Sequence, residues 1–269
     1  MTVGSLLNKY QQEAEFHDIS LLLSELLHCP FLTLSLRKKE ELSHSLLQNF
    51  YQGYTRLKNN EPIQYIIGKS WFYGLEFIVS PEVLIPRPET EGLIEVALPF
   101  IPLSAQVLDI GTGNGALAIT LKTLRPDLKI TATDISSQAL NIAQQNADFH
   151  HCTISFHNTD LYPKTEDCFD FIISNPPYIS PSEYVKLDTR IKDFEPKLAL
   201  LAEENGLIFY RRILNGAITK LKPKGTIFFE HGDEQRQDII QLAETSGFET
   251  ILIKDDLAGH PRYLGFQKY

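Results

Sequence analysis

The sequence predicts an α/β protein: a doubly wound, mainly parallel sheet preceded by a small helical domain. Three observations carry this expectation. Strand-like and helix-like segments alternate from Leu93 onward. Before that, near residue 62, the apolar pattern changes from three- and four-residue spacing to aromatic and β-branched runs. Finally, 269 residues with 43% hydrophobic content suffice for one large domain and a smaller one.

Residues 1–62 read as helices. Leu6, Leu7 and Tyr10, then Ile19, Leu22, Leu23, Leu26 and Leu27, recur at helical spacing. Pro30 ends one helix, and Leu42, Leu46, Leu47 and Phe50 mark another. A bundle of this kind carries no visible chemistry; its role is stability or substrate docking. Residues 63–87 read as a hairpin linker, because Tyr65, Ile66, Ile67, Trp71, Phe72, Tyr73, Phe77, Ile78 and Val79 are broken by Gly68, Gly74 and Pro81. Pro86-Arg87-Pro88 then stiffens the chain before Glu89-Thr90-Glu91 opens a helix.

Residues 88–269 hold the alternation. Strands are expected at Gln106–Ile110, Lys129–Thr133, Thr153–His157, Phe169–Ser174, Thr226–Glu230, Glu249–Lys254 and Tyr263–Gln267. Helices are expected at Ala116–Leu124, Ser137–Phe149, Leu207–Leu221 and Gln235–Thr245. Ligands of such sheets sit at the carboxyl ends of the strands.

Composition narrows the partners. The net charge is −9, and the densest basic run, Arg37-Lys38-Lys39, is followed at once by Glu40-Glu41. Direct nucleic-acid binding is therefore not expected. Cys29, Cys152 and Cys168 show no Cys-x-x-Cys spacing, and His150, His151 and His157 lack an i, i+4 pair, so no disulfide framework and no metal are expected. The first residues mix Lys9, Glu13 and Glu15 with apolar ones, and no apolar run is long enough to span a bilayer. A cytoplasmic protein without a membrane partner is the expectation.

The first motif is Val107-Leu108-Asp109-Ile110-Gly111-Thr112-Gly113-Asn114-Gly115, a strand joined to a helix through alternating glycines. Glycine admits positive φ and leaves no Cβ in a ligand's way, and the helix N-terminus offers free N–H groups. Asp134, ending the next strand, can accept hydrogen bonds from a ribose diol. That much fits any adenine dinucleotide or nucleoside. The Gly-x-Gly-x-Gly spacing differs from the pyrophosphate fingerprint, however, and the charge of Asp109 repels a pyrophosphate. S-adenosylmethionine, with S-adenosylhomocysteine as product, is the better match. Asp109 then either meets the ammonium of the methionine moiety or bonds the N–H groups of its own loop. Asp160 and Leu161, at the end of the third strand, are candidates for the adenine. The cofactor-binding set is thus Asp109, Gly111, Thr112, Gly113, Asn114, Gly115, Asp134, Asp160, Leu161 and Asn175.

The second motif, Asn175-Pro176-Pro177-Tyr178, follows the fourth strand on the same sheet edge. Its prolines have no N–H and pin the preceding residues in extended geometry. The Asn175 side-chain oxygen and the Pro176 carbonyl can therefore receive both hydrogens of one planar NH2 group, with Tyr178 as an aromatic face for it. These four residues are the expected catalytic and substrate-binding set. Adjacent histidines are absent, so no dedicated base is proposed. Glu230-His231-Gly232 ends the fifth strand nearby with no assigned role.

With both motifs in view, the chain resembles the HemK-type family, the peptide chain release factor glutamine N5-methyltransferases. The resemblance runs from Pro62 to Arg262: Pro62-Ile63-Gln64-Tyr65-Ile66-Ile67-Gly68, Val83-Leu84-Ile85-Pro86-Arg87-Pro88-Glu89-Thr90-Glu91, the Asp109–Gly113 and Asn175–Ile179 boxes, Glu195-Pro196, Ala199-Leu200, Lys254-Asp255 and Gly259. The Asn-Pro-Pro-Tyr box alone is shared with nucleic-acid amino methyltransferases; the Arg-Pro-Glu-Thr-Glu junction is more specific. The resemblance implies a Rossmann-like seven-stranded class I methyltransferase domain whose last strand is antiparallel. It also implies a Gly-Gly-Gln glutamine of class I release factors as target. Alternatives are methylation of adenine or guanine in nucleic acid, or a non-catalytic S-adenosylmethionine-bound docking module.

Overall fold

The computed structural model describes residues Met1–Tyr269. The chain forms two compact units, Met1–Lys69 with Asp188–Phe194, and Ser70–Leu187 with Glu195–Tyr269. No helix is long and apolar enough to cross a membrane.

The smaller unit is built on α1 (Val3–Tyr10), α2 (Phe16–Leu26), α3 (His44–Lys58) and α4 (Ile63–Ile67). Thr2 caps α1 and Ser43 caps α3 through side-chain oxygens that accept the N–H groups of Ser5 and Leu46. The heptad-like apolar positions close one core around Leu6, Ile19, Leu23 and Phe50. Helix α4 departs from the hairpin expected to begin at Ile63. Pro62 sets the entry, Gly68 closes the exit in the left-handed region at φ 73°, and Ile63, Ile66 and Ile67 turn onto the helical core. Tertiary burial here overrides the β-propensity of isoleucine and tyrosine.

The hairpin itself is shorter: β1 (Lys69–Phe72) and β2 (Leu75–Ile78), joined at Tyr73-Gly74, both with positive φ. After α5 (Pro88–Ala97) come β3 (Gln106–Ile110), α6 (Ala116–Leu124), β4 (Lys129–Asp134), α7 (Ser137–Phe149), β5 (Ser155–Asn158) and β6 (Phe169–Ser174). Short helices α8 (Pro181–Tyr184) and α9 (Thr189–Lys192) precede α10 (Ile208–Lys220), β7 (Leu221–Glu230), α11 (Arg236–Thr245), β8 (Phe248–Asp255) and β9 (Pro261–Lys268). The seven-stranded sheet has the order β5-β4-β3-β6-β7-β9-β8, with β9 antiparallel to both neighbours. The expected last antiparallel strand is present.

Period-two alternation assigns side chains to the two faces. Val107, Phe171, Ile173 and Phe228 join the core under α5 and α6, while Leu108, Ile110, Ile172 and Phe229 join the core under α10 and α11. The strand order reverses at β3, between β4 and β6, which is where ligands of doubly wound sheets bind. Register places Ile110 beside Ser174, and the Ser174 hydroxyl donates to the Ile110 carbonyl at 2.7 Å. Both motifs therefore leave the sheet from adjacent positions.

Candidate active site

A cavity of about 520 Å³ opens at this edge. That size suits a single small-molecule ligand. Its floor is the glycine loop. Gly111 and Gly113 have φ of 74° and 56°, and a Cβ at either would meet nothing within 4 Å. Positive φ favours glycine there, and the open space leaves backbone free for a ligand. Asp134, mostly buried at the end of β4, faces the same cavity. Its two oxygens accept the N–H groups of Gly113 and Ser136, each at 2.9 Å. Each oxygen keeps a further lone pair, so a diol remains within its capacity.

Of the other expected cofactor residues, Asp160, Leu161 and Asn175 lie on the wall. Asp160 is also paired with Arg212 of α10 at 2.6 Å, a partner that sequence spacing does not reveal. Asp109, Thr112, Asn114 and Gly115 stand behind the wall. Thr112 donates to one Asp109 oxygen at 2.6 Å, and Asn114 receives Ala116 N–H at the start of α6. A Cβ on Gly115 would press on Ile119 and Ala143, so that glycine serves helix packing.

Asp109 is fully buried, and its second oxygen has no partner. Burial pushes its carboxyl up to about 7, helped by the Asp134 charge and opposed by the Thr112 hydrogen bond and the nearby Ala118 N–H. A folded-state value raised above the unfolded one means stability that is present at acid pH and is lost as pH rises through about 7. The interval from 3.8 to about 7 corresponds to on the order of 4 kcal/mol. Asp109→Asn removes this titration. Relative to the parent, its stability in urea is expected to improve progressively from pH 4 to pH 8; a difference that stays flat with pH would show that Asp109 is not a strained buried charge. When ionised, Asp109 favours a cationic group in the cavity in front of it.

The second motif supplies the opposite wall through Asn175, Pro176 and Pro177. The Asn175 side-chain nitrogen donates to the Thr90 hydroxyl at 3.1 Å, which leaves its oxygen as the acceptor end. Tyr178 is not on the wall. Its ring packs with the core under α10 and against Gly232, and its carbonyl accepts from Gln235 at 2.8 Å. Burial pushes its phenol up to about 12, with the Glu230 charge adding to the effect. The expected aromatic face for the target is thus turned inward.

Two wall segments carry no signal in the sequence reading of the pocket: Pro81–Leu84 and Pro196–Ala199. The second is anchored by Glu195, almost fully buried, which pairs with Arg87 at 2.5 Å. Arg87 in the stiff junction therefore anchors this wall segment of the cavity, across 108 residues of chain. Phe209, also on the wall, sits one helical turn from Arg212 on α10.

A sheet with this strand order, glycine loop, ribose-type carboxylate and Asn-Pro-Pro turn defines a class I methyltransferase. Comparison with known proteins agrees. Residues 91–192 match the model of the methyltransferase small domain, and residues 3–68 match that of the PrmC N-terminal domain. The release factor glutamine methyltransferase of Enterococcus faecalis is 40% identical over 232 residues, covering 84% of this chain and 83% of that protein. That of Clostridium acetobutylicum is 34% identical over 261 residues, covering 94% and 92%. The chain belongs to the release factor glutamine methyltransferase family. Among solved structures, a methyltransferase from Pyrococcus furiosus superposes with a TM-score of 0.57 at 20% identity, covering 81% of this chain and 98% of that one, which supports the fold.

Proposed function

We propose that this protein transfers a methyl group from S-adenosylmethionine to the side-chain amide nitrogen of the glutamine in the Gly-Gly-Gln motif of class I release factors. The observation that carries the reading is the Asn175 amide, held by its nitrogen to Thr90 with its oxygen left to accept, beside prolines that offer no donor. Asp134 and the glycine loop would hold the nucleoside, Asp160 and Leu161 its base, and the Asp109 charge its ammonium end. When bound, that cofactor supplies one electrophilic methyl carbon.

The chain's own contribution is placement. An amide nitrogen is a poor nucleophile, because its lone pair is delocalised with a rotation barrier of about 18–20 kcal/mol. The Asn175 oxygen and the Pro176 carbonyl would take both N–H hydrogens, fixing the plane and drawing electron density onto the nitrogen. Such preorganised acceptors act by orientation and electrostatics, without a dedicated base. The proposed division has residues 1–62 as a domain docking the folded release factor, residues 63–87 as linker, and residues 88–269 as the transferase, working in the cytoplasm.

The test is a methyl-transfer assay with purified release factor, duplex DNA and RNA side by side. Methylation of the glutamine alone is expected. Transfer to a nucleobase would replace the reading with an amino-nucleobase methyltransferase, and cofactor binding without transfer to any of the three would leave a docking module.

A further inference from the structure

Thr90 of α5, Asn175 after β6 and Glu230 at the end of β7 are far apart in sequence and meet at the cavity wall, with Asn175 on the lining and Thr90 and Glu230 buried behind it. Thr90 and Glu230 are 6% and 2% exposed. Thr90 accepts the Asn175 side-chain N–H at 3.1 Å, and the Thr90 and Asn175 side chains both favour the charged form of the buried Glu230 carboxyl beside them. We propose that Thr90 and Glu230 are positioning residues that fix which end of the Asn175 amide faces the substrate. The inference rests on the reading that the Asn175 oxygen accepts a substrate N–H.

Donors and acceptors in the cluster fix the orientation of the Asn175 amide. An ionised carboxylate only accepts. The single Thr90 hydroxyl proton is therefore committed to Glu230, and its oxygen is left to accept. Asn175 then must turn its NH2 inward, toward Thr90 and Glu230, and its oxygen outward. Rotating the amide by half a turn would set its oxygen against two acceptors, an arrangement that leaves buried polar atoms unpaired. A neutral Glu230 removes the constraint, because it can donate to Thr90 and leave the hydroxyl to accept from the Asn175 NH2 or to donate to the Asn175 oxygen. The amide would then present NH2 to a substrate that also presents NH2.

The surroundings of Glu230 tune this lock. One of its carboxyl oxygens is buried with no hydrogen-bond partner. Arg262 on β9 favours the charge and Glu89 on α5 opposes it, with burial the largest influence; together they bring the carboxyl up to about 7. The remaining neighbours are neutral. Tyr178 and Tyr263 have raised phenols, Tyr210 donates its hydroxyl to the Glu230 backbone carbonyl at 2.9 Å, and burial pushes His231 down to about 4. The lock tightens as pH rises through about 7 and loosens as pH falls through it.

Three variants and one spectrum test the inference. Thr90→Val keeps the shape and removes the hydroxyl; its kcat at pH 8 is expected to fall roughly 10- to 100-fold with S-adenosylmethionine affinity within about two-fold of the parent. Thr90→Ser restores the hydroxyl and should recover kcat to within about three-fold. The parent kcat should decline as pH drops through about 7, and Glu230→Gln should be slow and lack that decline. Independently of activity, the Asn175 side-chain NH2 resonances, assigned by their loss in Asn175→Ala, should titrate in the parent and shift in Thr90→Val. Parent-like kcat in Thr90→Val, a Thr90→Ser variant as impaired as Thr90→Val, or unmoved NH2 resonances would overturn the positioning role. If the parent itself fails to methylate a release factor, the functional reading fails, and the NH2 resonances still decide the positioning.

Discussion

Asn175→Ala is expected to bind S-adenosylmethionine within a few-fold of the parent while methyl transfer falls by about 10²-fold or more. The separation of the two effects follows from where the side chain sits. The side of the cavity proposed for the nucleoside is built by the glycine loop and Asp134, whose hydrogen bonds to Gly113 and Ser136 do not involve Asn175. The amide is instead tied to Thr90 and points its oxygen from the prolines' side of the wall. Alanine leaves the Pro176 carbonyl as a single acceptor, so a substrate NH2 keeps one anchor and can rotate about it. Calorimetric titration with the cofactor and single-turnover transfer to release factor separate the two quantities. Turnover close to the parent's would mean that the Asn-Pro-Pro turn only ends a strand.

The elements that build this site were legible because they are local. Gln106–Ile110 and Phe169–Ser174 are short apolar runs with sharp boundaries, and the structure gives both strands those limits. The sequence offers Ser136 or Ser137 as the cap of the helix ending at Phe149, and the structure uses Ser136, which accepts Ala139 N–H at 3.1 Å. The helix at Ile63–Ile67 was not legible, since its residues favour strands and only burial against the helical core decides otherwise. In the site itself, the glycine loop, Asp134 and the Asn-Pro-Pro turn could be read because backbone conformation and strand ends fix them. The inward turn of Tyr178, the Arg87–Glu195 anchor and the meeting of Thr90 with Asn175 depend on packing between distant segments. Spacing along the chain holds no trace of these pairings.

Gly206 lies outside both motifs, and Gly206→Ala is expected to lower both the melting temperature and turnover. Its φ of 85° lies in the left-handed region, where a side chain costs about 1–2 kcal/mol. A Cβ there would also overlap the Tyr178 carbonyl and the Gln235 side-chain nitrogen. Those two groups are bonded to each other at 2.8 Å, and Gln235 also donates to the Asn205 carbonyl at 3.2 Å. Relieving the overlap must move the backbone of Tyr178, and overpacking of this kind costs a further 1–3 kcal/mol or so. For a domain of this size the sum corresponds to a melting temperature lower by roughly 5–15 °C. Tyr178 follows Pro177 directly, so the displacement reaches the acceptors that would hold the substrate nitrogen, and misplacement on the ångström scale costs about 10²-fold in rate. Gly247→Ala is the control. Its φ is 87°, and nothing lies within 4 Å of its Cβ position, so it carries the backbone strain without the collision. It should melt only a few degrees lower, with turnover unchanged below the transition. Equal losses in the two variants, in melting and in rate, would show that backbone strain alone matters at Gly206 and that the Tyr178 carbonyl is free to move without consequence for methyl transfer.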